Sequence, residues 1–181
     1  GWKKTIISSD KDFYQLADDE TSIYRPIQDR MVTTETLVEE FGIHPNNFAL
    51  ARAIAGDPSD NIKGIGRVGL GTIKKRLEFM REPEDQSVQS LVEHCKKVEK
   101  KLSCHTKIID KQDVIHQNYL IMQLYSPKIS PINKQKLLYN VQNHEPEVNI
   151  STIKMMMITD GFGAYRFDDL FGSFRRLCSY L

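Results

Sequence analysis

The pattern of apolar and polar positions predicts one strand at the start of the chain and helices through most of the rest. Residues 4–9 form a short run rich in β-branched side chains, typical of a buried strand that ends at Asp10. Residues 22–32 alternate loosely and contain Pro26, which favours an edge strand or a hairpin. The first strand has no evident partner here, so we expect its neighbours upstream or in another molecule.

Several helices with recognisable ends follow the first strand. Thr34 precedes a short amphipathic run that stops at Gly42, as expected for a capped helix, and an Ala-rich helix over residues 46–55 ends at Gly56. Further helices are predicted over residues 72–80, 87–102, 112–124 and 132–141, with one or two apolar helices after residue 150. The chain is therefore predicted to be mostly α-helical, with a short sheet portion at its N-terminal end.

Composition and charge narrow the class of protein only a little. The 181 residues are 40% hydrophobic and 27% charged, which is ordinary for a soluble globular protein. The net charge of +1 is no evidence for or against nucleic acid, because a local basic patch can exist in a neutral total. Three widely spaced cysteines favour a reducing compartment, hence the cytoplasm, and no apolar run approaches the roughly 20 residues that span a bilayer.

Two pairs of aspartates carry the first candidate chemistry. Asp10 and Asp12 follow the first strand, and Asp57 and Asp60 follow the Ala-rich helix, where a helical turn would put both on one side. Gathered carboxylates raise each other's pKa unless a cation neutralises them, and hard oxygen ligands favour Mg²⁺ or Mn²⁺. The same residues also suit turns and helix caps, so turn chemistry is the alternative.

Residues 61–75, the glycine-rich segment, carry the second candidate chemistry. Glycines alternate with apolar residues and then a helix opens at Thr72, an arrangement that lets backbone amides approach a phosphate. Six basic residues lie between positions 62 and 81, which suits a nucleic-acid backbone, although a solvated surface helix would show the same charges. The predicted nucleic-acid contacts are Lys63, Gly64, Gly66, Arg67, Gly69, Gly71, Thr72, Lys74, Lys75 and Arg76.

Taken in order, these segments resemble the 5′-nuclease family, which includes phage ribonuclease H, phage flap endonucleases and the 5′-nuclease domain of bacterial DNA polymerase I. Residues 7–16 are similar to the family's strand-end motif with paired aspartates, and residues 56–62, Gly-Asp-Pro-Ser-Asp-Asn-Ile, are the most specific match. The resemblance implies an α/β, PIN-like fold with a helix–three-turn–helix. It implies a single C-terminal part of such a domain, with residues 1–34 ending the catalytic sheet, 35–81 forming the helix–three-turn–helix region and 82–181 a helical part.

The resemblance also implies a function. Family members act as structure-dependent 5′-3′ exonucleases or flap endonucleases on DNA or RNA–DNA 5′ ends, through two divalent metals, in replication. Asp10, Asp12, Asp57 and Asp60 match the second of two acidic clusters, and the first cluster is expected upstream. Family hairpins often bind K⁺ through backbone carbonyls. The glycine-rich segment departs from the family's usual sequence motif. In one alignment with that motif, Arg67 stands where a glycine is usual.

Three interpretations remain open at this stage. The chain is part of a phage-type nuclease, a DNA-binding module without catalysis of its own, or one half of a split enzyme completed by a separate N-terminal chain. With half of the metal ligands absent, we expect the chain alone to be a poor nuclease; replication proteins are further expected partners. The metal hypothesis requires Asp10 and Asp60 to face the same space, and it fails if Asp57 is locked in a lysine or arginine salt bridge within the core.

Overall fold

The computed structural model describes residues 2–126, 129–144, 149–162 and 166–178. The chain forms two compact units, residues 1–128 and residues 129–181. None of the helices in these described ranges combines the length and hydropathy needed to cross a membrane. The architecture is an α/β fold in which helices dominate, as the sequence resemblance implies.

A small sheet opens the first unit. Its strands are β1 (Lys4–Ile7), β2 (Thr21–Arg25) and β3 (Arg30–Val32). β1 pairs in parallel with β2, and β2 pairs antiparallel with β3 as a hairpin. The expectation that the first strand finds no partner within the chain is therefore wrong: a crossover through a 3₁₀ helix at Lys11–Leu16 brings β2 alongside it.

The other regular elements among the described residues are helices and one short strand pair. The first unit contains α1 (Thr34–Phe41), α2 (Phe48–Ala55), β4 (Gly56–Asp57), β5 (Ile62–Lys63), α3 (Leu70–Arg76), α4 (Val88–Lys97), α5 (Ser103–Asp110) and α6 (Gln112–Met122). Short 3₁₀ helices also occur at Pro45–Asn47 and Glu78–Arg81. The second unit contains α7 (Pro131–Asn143), α8 (Ile150–Thr159) and α9 (Phe167–Cys178).

The helix ends show where sequence patterns succeed and where they fail. α1 is held by a capping box in which Thr33 and Thr36 bond reciprocally, and it stops at Gly42, whose φ of 63° suits glycine. The helix predicted over residues 72–80 is broken at Leu77, which leaves helical geometry at φ −127° and ψ 59°. The helix predicted over residues 87–102 also ends early, at Lys97, and α5 then begins a helix that the pattern did not predict.

Helix α2 lies at the centre of the hydrophobic core. Phe48, Leu50 and Ile54 are fully or almost fully buried, and the rings of Tyr14 and Phe41 pack against Phe48 at centroid distances of 5.3 and 5.5 Å. This aromatic contact fixes the 3₁₀ helix that carries Asp12 against the start of α2.

Gln15 ties the same 3₁₀ helix to the end of α6. Its side-chain amide donates to the carbonyl oxygens of Asp12 at 2.8 Å and Met122 at 3.0 Å. Its side-chain oxygen accepts from the backbone N–H of Leu124 at 2.8 Å. A buried glutamine with its donors and acceptor satisfied stabilises one backbone arrangement, so Asp12 is positioned from both sides.

The glycine-rich segment returns against the end of α2 at very short range. A Cβ atom on Gly64 would lie 2.2 Å from the carbonyl oxygen of Ala55, and one on Gly56 would lie 2.2 Å from the backbone nitrogen of Gly64. The N–H of Ile65 donates to the carbonyl of Ile54 at 3.1 Å. Only glycine permits this approach, which joins the aspartates to the basic residues that follow them.

We expect Gly64→Ala to lower the free energy of unfolding by about 2–3 kcal/mol, because the added methyl group meets backbone that cannot move aside. Gly71→Ala is the matched control, since a Cβ there meets open space in a helix and should raise stability by up to about 1 kcal/mol. Urea unfolding followed by circular dichroism measures both. Equal stability of the two variants would show that the close approach is not needed.

Candidate metal centre and nucleic-acid interface

Three of the four predicted carboxylates converge. Asp12, Asp57 and Asp60 each offer an oxygen atom within 4.8 Å of the others. Asp12 stands on the 3₁₀ helix after β1, Asp57 ends β4, and Asp60 lies in the turn between β4 and β5. The Asp57–Asp60 spacing therefore works through a strand turn and not through the helical turn considered from the sequence.

Asp10 has a different role in the same place. Its side chain caps the 3₁₀ helix by accepting from the backbone N–H of Asp12 at 2.9 Å. It nevertheless lines an open cavity of about 520 Å³ together with Asp57 and Asp60. Asp10 and Asp60 thus face the same space, as the metal hypothesis requires.

Arg52 is a residue of this site that the sequence reasoning missed. Its guanidinium lies between two of the aspartates, with Nη2 donating to Asp12 Oδ1 at 3.0 Å and also to Asp57 Oδ2. The side chain is 12% exposed and Asp57 is buried, so Asp57 does stand in an arginine salt bridge. A bridge of this kind within the core is the condition under which the metal hypothesis fails, but Arg52 and Asp57 both line the open cavity. The available signal was a single charged residue in the apolar run of α2, five positions before Asp57.

The pKa values of the two bridged aspartates are shifted in opposite directions. Hydrogen bonds from the hydroxyl and backbone N–H of Ser59, at 2.6 and 3.0 Å, lower the pKa of Asp57 below its ordinary value, and Arg52 lowers it further. Burial raises the pKa of Asp12 more than Arg52 lowers it, and the neighbouring charges of Asp10 and Asp57 raise it again. The neighbours of Asp57 thus favour its ionised form, whereas burial disfavours the ionised form of Asp12, which an added cation would favour.

Some of the residues predicted to contact phosphate are exposed on the surface, and others pack within the fold. Lys63, Lys75 and Arg76 are exposed, and Gly66 and Arg67 form an exposed turn with φ values of 82° and 59°. Gly69 precedes α3, and Gly71 and Thr72 occupy its first turn; Gly64 instead packs against the end of α2.

Lys74 is engaged in the fold. Its ammonium donates to the carbonyl oxygens of Glu39 at 2.7 Å and Glu40 at 2.8 Å, at the C-terminal end of α1. Its aliphatic stem lies close to Gly42, where a Cβ would come within 2.7 Å of Lys74 Cγ. A cation at this end also suits the helix dipole, so Lys74 stabilises α1 against α3.

Two further lysines reach the glycine-rich segment from the helices behind it. Lys107 Nζ donates to the carbonyl oxygen of Gly66 at 2.9 Å, and Lys111 Nζ donates to that of Ile65 at 3.2 Å. Asn118 adds bonds to the carbonyls of Ala53 and Lys63 at 3.0 and 2.9 Å. These contacts join positions more than 40 residues apart, and nothing in the local pattern indicated them.

Several known proteins match part of this chain. No protein-family model matches the chain. It is 36% identical over 78 residues to the thermostable DNA polymerase I of Thermus thermophilus, and 36% identical over 72 residues to a 5′-3′ exonuclease of Buchnera aphidicola. The resemblance to the 5′-nuclease family is confirmed. These matches cover 43% and 40% of the chain, but the chain spans only 9% and 25% of the two relatives' lengths.

A solved 5′-nuclease structure shares the fold. The bacteriophage T5 flap endonuclease, in a complex with DNA and metal ions, superimposes with a TM-score of 0.53 at 17% identity. The alignment covers 77% of this chain and 47% of the T5 protein. The PIN-like α/β expectation is thereby confirmed.

We expect Arg52→Met to lower the free energy of unfolding by about 3–5 kcal/mol in EDTA, because two close carboxylates lose the cation between them. Arg30→Met is the matched control: its pair with Glu40 is 40% and 44% exposed, so its loss should cost less than about 1 kcal/mol. Urea titrations measure both. A similar small loss in each variant would show that Arg52 is not a necessary counter-ion.

Proposed function

We propose that this chain forms the part of a structure-dependent 5′-3′ exonuclease or flap endonuclease that holds the second group of metal-binding carboxylates and the adjoining duplex grip. The substrates would be DNA or RNA–DNA 5′ ends during replication, in the cytoplasm of a cell or a phage-infected host. The ions would be Mg²⁺ or Mn²⁺, in a two-metal hydrolysis of the phosphodiester.

One observation carries this proposal. Carboxylates 45 positions apart in sequence, Asp12 and Asp57, meet with Asp60 within 4.8 Å beside an open cavity. Bringing such charges together is unfavourable unless a cation compensates them, and oxygen ligands suit Mg²⁺ and Mn²⁺. Relatives named 5′-3′ exonuclease, and a fold neighbour seen with DNA and metal ions, support the same activity.

The residues would divide the work of such a site. When bound, divalent ions supply an activated water and stabilise the oxygens at the reacting phosphorus. Ser59 holds Asp57 in one orientation, Gln15 and Asp10 hold the backbone that carries Asp12, and Asp60 is exposed toward the cavity. These neighbours thus pre-position the carboxylates, whereas a bound ion would have to compete with Arg52, which bonds both Asp12 and Asp57.

The duplex grip would use the exposed cations that follow the aspartates directly. Lys63 lies three residues after Asp60, and Lys75 and Arg76 end the short helix beyond the turn. Contacts of this kind neutralise phosphates and position the duplex without reading its bases. The proposed phosphate contacts thus follow the carboxylates along the chain, Lys63 after three residues and Lys75 and Arg76 after the turn.

A second candidate function is duplex binding without catalysis, and Arg52 is the observation that favours it. Its guanidinium already supplies a positive charge between Asp12 and Asp57, the position in which a divalent ion would compensate them. In that case the carboxylates stabilise the fold alone. Metal affinity separates the two functions.

We expect the chain to bind Mn²⁺, and Asp60→Asn to weaken that binding at least about tenfold, because one ligand loses its charge. Asp19→Asn is the matched control, since Asp19 precedes β2 and therefore lies at the opposite end of the parallel strand pair. Isothermal titration and the electron paramagnetic resonance of free Mn²⁺ measure the affinities. Wild-type affinity unchanged by Asp60→Asn would leave only the non-catalytic function.

We expect Lys75→Ala with Arg76→Ala to weaken duplex binding and to reduce the slope of log affinity against log salt by about 2, one unit for each lost phosphate contact. Lys100→Ala with Lys101→Ala removes the same charge from an exposed loop and should leave the slope unchanged. Lys74 is left out of the double variant because its ammonium binds the end of α1, so that Lys74→Ala should lower thermal stability. Fluorescence anisotropy across several duplex sequences measures affinity; identical slopes for both double variants would remove α3 from the interface.

A further inference from the structure

The turn of the glycine-rich segment presents two neighbouring carbonyl oxygens to the helices behind it. The positive φ values at Gly66 and Arg67 place consecutive residues in the left-handed region, which turns the backbone sharply at this point. The carbonyl oxygens of Ile65 and Gly66 then each receive a lysine ammonium. Carbonyl groups gathered in a turn are also the ligands that a monovalent cation would use.

The spacing of Lys107 and Lys111 allows both side chains to reach the turn. They stand four residues apart at the end of α5, where the N–H of Lys111 still donates to the carbonyl of Lys107 at 3.0 Å, so both point from one face. Among the described residues, neither ammonium pairs with a carboxylate. Their charges are therefore directed to the turn and are not neutralised there.

The K⁺ ion that the family resemblance implies does not fit this turn as it stands. An ammonium group has the charge of K⁺ and a similar size, and the distances of 2.9 and 3.2 Å lie in the ordinary hydrogen-bonding range. An ion at the same two oxygens would have to displace both lysines and would then lie beside two positive charges. The carbonyl oxygens of this turn thus already bind lysine ammonium groups, in a hairpin for which the resemblance implies K⁺.

We infer that Lys107 and Lys111 replace the monovalent cation of the glycine-rich segment, so that duplex binding by this chain does not require K⁺. The inference rests on the proposed duplex grip. The two lysines fix the conformation of its turn and add positive charge there. Asn118 fixes the adjoining β5 from the same side through the carbonyl of Lys63 at 2.9 Å. α5 and α6 together provide a rigid support that needs no bound ion.

The test compares duplex affinity in KCl and in tetramethylammonium chloride at equal ionic strength, measured by fluorescence anisotropy. The wild-type chain should bind equally in both salts. Lys107→Gln with Lys111→Gln should bind about tenfold more weakly in tetramethylammonium, with a large part of the loss restored by KCl, because the freed carbonyls can now hold K⁺. Lys100→Gln with Lys101→Gln removes the same charge from an exposed loop. The duplex affinity of this control variant should be equal in the two salts.

A readout without DNA separates this inference from the proposed function. The melting temperature of the wild-type chain should be the same in the two salts, whereas KCl should raise that of the double variant. A wild-type chain that needs K⁺ for affinity or stability would overturn the inference, as would a folded double variant indifferent to K⁺. Absence of duplex binding in every salt would reject the proposed grip and leave the melting experiment to decide about the lysines.

Discussion

The close approach of the backbone at the end of α2 is the constraint on which both candidate sites depend. Gly56 and Gly64 leave no room for a side chain between the helix end and the returning segment. Because the two segments meet there, the β4–β5 turn with its aspartates and the start of the glycine-rich segment are fixed to the end of the buried helix α2. The position of the acidic residues relative to β1 is then set by the aromatic packing of Tyr14 on Phe48.

Arginine and lysine side chains stabilise the fold in three separate places by donating to oxygen atoms. Arg52 compensates carboxylates, Lys74 binds carbonyls at a helix end, and Lys107 binds a carbonyl in a turn. In each case a positive charge meets oxygen atoms that would otherwise repel one another or lack a donor. The net charge of +1 conceals this internal use of cations.

The sequence predicted the elements whose signals are local and missed those that depend on distant contacts. The capped helix ending at Gly42, the α2 helix ending at Gly56 and the association of Asp12, Asp57 and Asp60 were all foreseen, the last through family motifs. The pairing of β1 with β2 was missed because the intervening crossover carries no regular pattern. Arg52 was missed although it is the one charged residue in the apolar run of α2. The roles of Lys74 and Lys107 could not be derived, since a lysine exposed to solvent and a lysine bonded to a distant carbonyl give the same sequence pattern. The predicted individual phosphate contacts remain predictions.

The contacts of Gln15 make part of the candidate site depend on a segment that is synthesised much later. Its amide bonds to Met122, 107 residues further along the chain, as well as to the carbonyl of Asp12. A nascent chain that has only the strand, α2 and the glycine-rich segment outside the ribosome therefore lacks the support for its first carboxylate. Contacts of such separation form slowly because a long loop must close before they contribute. The 3₁₀ helix that carries Asp12 consequently gains this support only after the end of α6 has emerged and folded back, whereas its cap at Asp10 and its packing on Phe48 can form earlier.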